Sequence, residues 1–330
     1  MKARPAFTSR LAPDIVRYLT VKQALGREYD GVRRVLAHVD HFVTTRSDDL
    51  TPDTFAGWCL TLQHLASGTR RHRMQVVRNF CLYIRRRVPA AFVPDERLFP
   101  PAHQVGRPHL FTEAEVLHLL DLVNALPPAP TSPLRRENLH LAIVILYTTG
   151  LRLGELVRLT FGDYDPRSQT LLIRDSKFHK SHLVPLSPDG AHEIESYRAV
   201  RRTRQLAISP ESPLLWHHTR RGTAYTCTGL GNTMRRLLRA AKIATHTGRL
   251  PRVHDFRHTF GVQALLRWYG AGADVNAKLP LLATYMGHVS IVSTEYYLQF
   301  VEPLAAFASE RFARHCGALV TSAPADGGAR

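Results

Sequence analysis

TLLIRDSKFHKSHLVPL, residues 170–186, is unlike the sequence on either side of it. Leu, Ile and Val runs flank a polar tip near Phe178-His179, the pattern of a β-hairpin. Outward from it in both directions apolar residues recur at spacings of three and four, the mark of helices with one buried face. The hairpin is therefore expected to be the only substantial sheet in a mainly α chain with a small β-sheet. Before it, Phe111-Thr112-Glu113-Ala114-Glu115 opens a helix with a Thr cap and early acids. A break from Pro127 to Pro133 leads into a long buried helix from about Arg136 to Thr149, and a shorter helix, Leu153 to Leu159, follows Gly150. After the hairpin, helices are expected near 189–205, 229–244, 255–269, 276–286 and 291–314.

Nearer the N-terminus the same periodicity runs from Pro13 to about Val88, as in Val32, Val35, Leu36, Val39 and Phe42. Thr51-Pro52-Asp53 reads as an N-cap with Pro in the first turn, and Ser67-Gly68-Thr69 as the next break. Helices near 14–25, 28–46, 52–66 and 69–87 result. Residues 89–109 hold five prolines and little periodicity, as an extended linker would. The expected organisation is a helical domain over 1–88, a linker over 89–109, a second domain over 110–315 and a disordered tail over 316–330.

The 330 residues carry 44 Lys+Arg against 27 Asp+Glu, a formal charge of +17. Only six of the basic residues are Lys; 38 are Arg, whose planar fork grips phosphate with two parallel hydrogen bonds. Both halves are basic, so a polyanionic partner, nucleic acid first, is expected for each. Arg70, Arg71, Arg73, Arg78, Arg85, Arg86 and Arg87 load the fourth helix, either as a DNA-facing surface or as an ordinary solvated face. Cys59, Cys81, Cys227 and Cys316 form no CxxC pair, which argues against a disulfide framework and a structural zinc site. The longest apolar run, Leu139 to Tyr147, is far shorter than the roughly 20 residues of a membrane span. A soluble protein of the reducing cytoplasm, associated with the nucleoid, is the expectation.

Three clusters in the second half carry reactive side chains. Thr149-Gly150-Leu151-Arg152-Leu153-Gly154-Glu155-Leu156 places an Arg at a helix start with a Glu three residues on, on the same face. His254-Asp255-Phe256-Arg257-His258 lets a His and an Arg project from one turn. Gly287-His288 is followed nine residues later by Tyr297, in Thr294-Glu295-Tyr296-Tyr297. Arg, hairpin Lys, His-x-x-Arg, Gly-His and Tyr in this order resemble the tyrosine recombinase (phage integrase) family. The resemblance is specific over about 108–315 and looser over 1–88.

What the resemblance implies is a helical core-binding (SAM-like) domain followed by an α+β catalytic domain, the two clamping duplex DNA. It implies catalytic roles for Arg152, Lys177, His254, Arg257, His288 and the nucleophile Tyr297, with Glu155 orienting its neighbours. Lys180 and Tyr296 are the local competitors of Lys177 and Tyr297. It further implies no cofactor and no metal, double-stranded DNA as partner, self-association as a tetramer on DNA, and room for accessory recombination proteins. The stretch GADVNAKLP before Met286 is similar to recombinases borne by transposons, which adds transposition to DNA integration and recombination. Val301, Leu304, Ala305, Ala308 and Phe312 would form an apolar stripe, packed on its own domain or docked on a neighbouring protomer.

The chemistry suits these residue types. Phosphodiester exchange builds charge on the non-bridging oxygens, which two Arg forks can hold. A phenol can attack phosphorus and store the bond as a phosphotyrosyl ester. Three other readings stay open: a metal site at His254 and His258, a DNA-binding relative without catalysis, and a type IB topoisomerase. The first lacks the glutamate of HExxH and has Arg257 between its histidines.

Overall fold

The computed structural model describes residues 7–26, 29–46, 49–101, 107–174, 181–217, 222–287 and Thr294. The chain divides into two units after Gly106. The expected helix over 291–314, with its apolar stripe, and the tail over 316–330 lie outside the described residues, apart from Thr294.

In the first unit four helices, α1 (Ala12–Ala24), α2 (Asp30–Arg46), α3 (Pro52–Leu60) and α4 (Ser67–Arg85), close on one core. Ile15, Leu19, Leu36, Val43, Trp58, Leu62, Val77 and Phe80 are buried in it. Thr51 caps α3 as its sequence suggests, accepting from the Thr54 N–H at 3.2 Å. Asp40 is buried but not bare: its carboxylate accepts from the backbone N–H groups of Thr8 at 2.8 Å and Ser9 at 3.1 Å, which anchors the entry to α1.

The proline-rich segment does more than connect. Residues 91–101 run extended around a short 3-10 turn, Glu96–Leu98, and lay Phe92, Val93 and Phe99 on this same core. Arginines of α4 hold the segment down: Arg71 donates to the Pro100 carbonyl at 2.9 Å, Arg78 to Pro94 at 2.7 Å and Arg85 to Ala91 at 3.2 Å. Those three guanidiniums are thus occupied inside the unit, and the α4 surface is less purely a DNA-facing one than its arginine count suggests.

The second unit is built around α6 (Arg135–Thr149), buried on nearly every side. Against it pack α5 (Glu113–Asn124), α7 (Leu153–Leu156), α8 (Pro188–Thr203) and α10 (Asp255–Gly270), with α9 (Cys227–Ala240) and α11 (Val275–Tyr285) completing the helices described. Thr112 and Glu115 cap α5 reciprocally, each side chain bonded to the other's backbone N–H. Asn138, fully buried on α6, donates to the Trp216 carbonyl at 2.9 Å and accepts from the Tyr197 hydroxyl at 2.8 Å, tying three elements at one satisfied polar point.

The hairpin is present as expected. β2 (Thr170–Ile173) pairs antiparallel with β3 (His182–Pro185), Ile173 opposite His182, and β1 (Tyr164–Asp165) adds a short third strand beside β2. It is not alone: Trp216–His217 (β4) and Thr223–Ala224 (β5) form a second ribbon too short for periodicity to reveal. The helix expected over 153–159 stops at Leu156, because the chain turns into a bridge between Thr160 and Pro213. No helix among the described residues is long and apolar enough to cross a membrane.

Candidate active site

Gly150 starts the site. It ends α6 at φ +64°, a left-handed conformation that costs an L side chain roughly 1 kcal/mol, and an added Cβ would meet the Phe260 ring at 2.7 Å. This turn delivers Arg152 to the N-cap of α7. The Glu155 carboxylate, three residues on, accepts from the Arg152 backbone N–H at 2.9 Å and from its Nη1 at 2.6 Å. Glu155 is 2% exposed and Arg152 26%, so a buried carboxylate fixes an arginine that stays partly open to solvent.

Arg257 comes to the same place from α10. Its side chain is buried, with Nη1 donating to the Gly150 carbonyl at 2.9 Å and Nη2 to the Met286 carbonyl. Arg152 Nη2 donates to the next carbonyl, Gly287, at 3.3 Å. Two arginines 105 positions apart in sequence therefore grip adjacent peptide groups of one turn, at the end of α11 and immediately before His288.

His254 occupies the N-cap of α10, one turn before Arg257. Loss of hydration, followed by the charges of Arg257, Arg252 and Arg152, pushes the pKa of this still solvent-accessible ring down to about 4. It is neutral at pH 7, so it can take a proton. His258 packs edge-to-face on it at 4.9 Å between centroids and is likewise pushed down to about 4, first by burial and then by His254. Asp255 between them is committed to Arg252, accepting from its backbone N–H at 2.8 Å and its Nη2 at 3.0 Å. Among the described residues no three His, Cys, Asp or Glu side chains gather as a metal-ligand set. A cleft of about 630 Å³ opens beside His254, lined by Thr228, Asn232 and Arg235 of α9 and by Arg252.

Of the sequence candidates, Arg152, Glu155, His254 and Arg257 are brought together. Lys177, Lys180, His288, Tyr296 and Tyr297 lie outside the described residues. One residue at the site was not singled out from sequence: His182, at the start of β3, lies against Gly287 and within electrostatic reach of Glu155, Arg257 and Arg152. The available signal was its parity with the buried Val184 on the strand, two residues on.

Comparison with known proteins gives the same direction. The y4rE chain of Sinorhizobium fredii, an integrase/recombinase by name, is 30% identical over 93% of this chain and 97% of its own length. Tyrosine recombinase XerC of Roseiflexus castenholzii is 27% identical over 76% of this chain and 74% of its own. Among solved structures, XerH recombinase on palindromic difH DNA has a TM-score of 0.62 at 19% identity, covering 83% of this chain and 77% of the other. Lambda integrase bound as a dimer to a core site has a TM-score of 0.61 at 14% identity, covering 86% and 94%. The Tn1549 transposon integrase on transposon-end DNA has 0.60 at 16%, covering 90% and 98%. At those identities the structures speak for the fold. The family profile described as the phage integrase family matches residues 110–302, which takes in both arginines and every motif ordered around them. With that match and the length of its alignment to y4rE, the chain belongs to the phage integrase family, the tyrosine site-specific recombinases.

Proposed function

We propose that this site-specific DNA recombinase cuts and rejoins strands through Tyr297, with Arg152 and Arg257 as the clamp on the scissile phosphate. The observation that carries the reading is the convergence of those two arginines on the Met286-Gly287 turn, beside a neutral His254. In the first step the Tyr297 phenolic oxygen bonds to phosphorus and the bond from phosphorus to the 5′-oxygen breaks. The phenol proton passes to His254, and Lys177 gives a proton to the departing 5′-oxygen. Charge on the non-bridging oxygens falls to the two guanidiniums and to a hydrogen bond from His288. Reversal with a 5′-hydroxyl from another duplex reseals the backbone, so no nucleotide energy source is consumed.

Arg257 is buried, so its place in the clamp requires that seating DNA uncover it; Arg152, a quarter exposed, meets the phosphate first. The acid role needs a lysine that loses its proton more readily than in water, and two arginine cations nearby would supply that bias. Four protomers on paired sites, accessory proteins and a place on a transposable element belong to the same proposal. The GADVNAKLP stretch favours the last of these.

Lys177→Ala tests the acid. It should fail on ordinary DNA, yet cleave a substrate whose scissile 5′-oxygen is sulfur, because a thiolate leaves without a proton. Rescue of Lys180→Ala in its place moves the role to Lys180; rescue of neither removes the hairpin acid.

DNA binding should weaken steeply with salt. Each phosphate neutralised by an arginine contributes roughly −0.9 to the slope of log affinity against log salt, so several contacts per half-site give a slope of several units. A gel-shift titration across salt concentrations measures it, and a slope near zero contradicts the clamp. Most of that loss should be independent of sequence.

A further inference from the structure

We propose that His182 is a positioning residue of this active site: its ring, packed on Gly287, locks strand β3 to the turn that both arginines hold. In sequence, the lysine-bearing residues 175–180 precede β3, and His288 follows Gly287 directly. One side chain therefore sets the spacing between two stretches of chain that the proposed chemistry needs together. This rests on the site assigned above.

The contact is tight. Gly287 adopts φ +62°, and a Cβ placed there would lie 2.8 Å from His182 Cε1 and 3.3 Å from Nε2, inside the separation real Cβ atoms keep. Glycine is thus required twice, for its backbone conformation and for the ring above it. The parity of β3 turns His182 and Val184 to one face while Leu183, 61% exposed, takes the other. A second bond fixes the same strand to the same helix end, since the Tyr285 hydroxyl donates to the Pro185 carbonyl at 3.2 Å. The same turn is held by Arg257 at the Met286 carbonyl and by Arg152 at the Gly287 carbonyl. The turn is thus held by two guanidiniums at its carbonyls and by an imidazole packed on its glycine.

The imidazole is not there for a protein hydrogen bond at Nε2. That atom is buried and finds no partner among the described residues. Burial lowers the ring's pKa, with Arg257 and Arg152 acting against Glu155, so a neutral flat ring is what packs on the glycine.

The test is covalent adduct formation on a suicide duplex, with oxygen or sulfur at the scissile 5′ position, for wild type, H182A, H182F, G287A and the double variant H182A/G287A. H182A should cleave the oxygen substrate about tenfold or more slowly, the scale of a misplaced catalytic group, while gel-shift affinity stays within about twofold. The sulfur substrate should restore most of that loss, a selectivity that a merely destabilised fold would not show. H182F, which keeps a flat ring, should retain most of the rate. G287A should slow wild type strongly but add little in the H182A background, because the clash is gone and only the backbone cost remains. Cleavage by H182A within about twofold of wild type, equal loss on both substrates, H182F as slow as H182A, or additive effects of H182A and G287A would each overturn the proposal. If H182A does not fold, H182N carries the same comparisons. K177A runs alongside: if sulfur fails to rescue it, the lysine assignment falls, and the coupling between His182 and Gly287 still decides this one.

Discussion

Arg257→Ala is expected to lose strand cleavage by about 10² or more and to weaken the fold at the same time. Both effects follow from one location. The side chain is buried, and it satisfies the carbonyls of Gly150 and Met286, which belong to the ends of two different helices. Truncation leaves both carbonyls buried and unpaired, a cost of about 2–4 kcal/mol in unfolding free energy. It also frees the turn that precedes His288, so the phosphate loses one clamp directly and a second group through misplacement. Arg257→Lys separates the two: an ammonium can bond one carbonyl and keep the charge, but it cannot fork, so stability should recover further than cleavage does. Denaturant unfolding and single-turnover cleavage, read side by side, check this. Cleavage within a few-fold of wild type for Arg257→Ala would remove it from the clamp.

Much of this architecture is legible in the sequence because its signals are local. Thr51 and Thr112 announce α3 and α5 by the same side-chain chemistry that caps them in the structure. The hairpin shows as a change of period, and Gly150 as the glycine a helix needs in order to stop. The convergence of Arg152, Glu155, His254 and Arg257 follows from motif order once the family resemblance is seen. Spacing alone would not place the two arginines on one turn.

What escaped the sequence was set by tertiary structure. Arg201 stands in the last turn of α8, where a basic residue ordinarily complements the helix dipole in solvent; here it is fully buried, donating to the Pro213 carbonyl at 2.7 Å and lying over the Phe161 ring. Nothing local marks it. Residues 91–101 read as linker because prolines dominate, although Phe92 and Phe99 were the apolar signal that this chain returns to the core. Arg71, Arg78 and Arg85 look like a charged surface until that segment is found beneath them. His182 belongs to no motif, and only the packing of β3 on α11 gives it a place at the site.

Tyr297→Phe carries the other large effect, and it bears on the whole mechanism. Phenylalanine keeps the ring and removes one oxygen, so folding and DNA binding should be those of wild type. The oxygen removed is the atom proposed to bond to phosphorus, and neither the arginines nor His254 can substitute for it. Every covalent product should therefore vanish, whereas loss of a clamp residue or of the acid leaves slow cleavage. The most direct measurement is denaturing-gel trapping of protein on a nicked suicide substrate, with wild type, Tyr297→Phe and Tyr296→Phe compared at equal occupancy of DNA. The expected result is a covalent band for wild type and Tyr296→Phe and none for Tyr297→Phe; a band for Tyr297→Phe would contradict Tyr297 as the nucleophile, and its loss in Tyr296→Phe would assign that role to Tyr296.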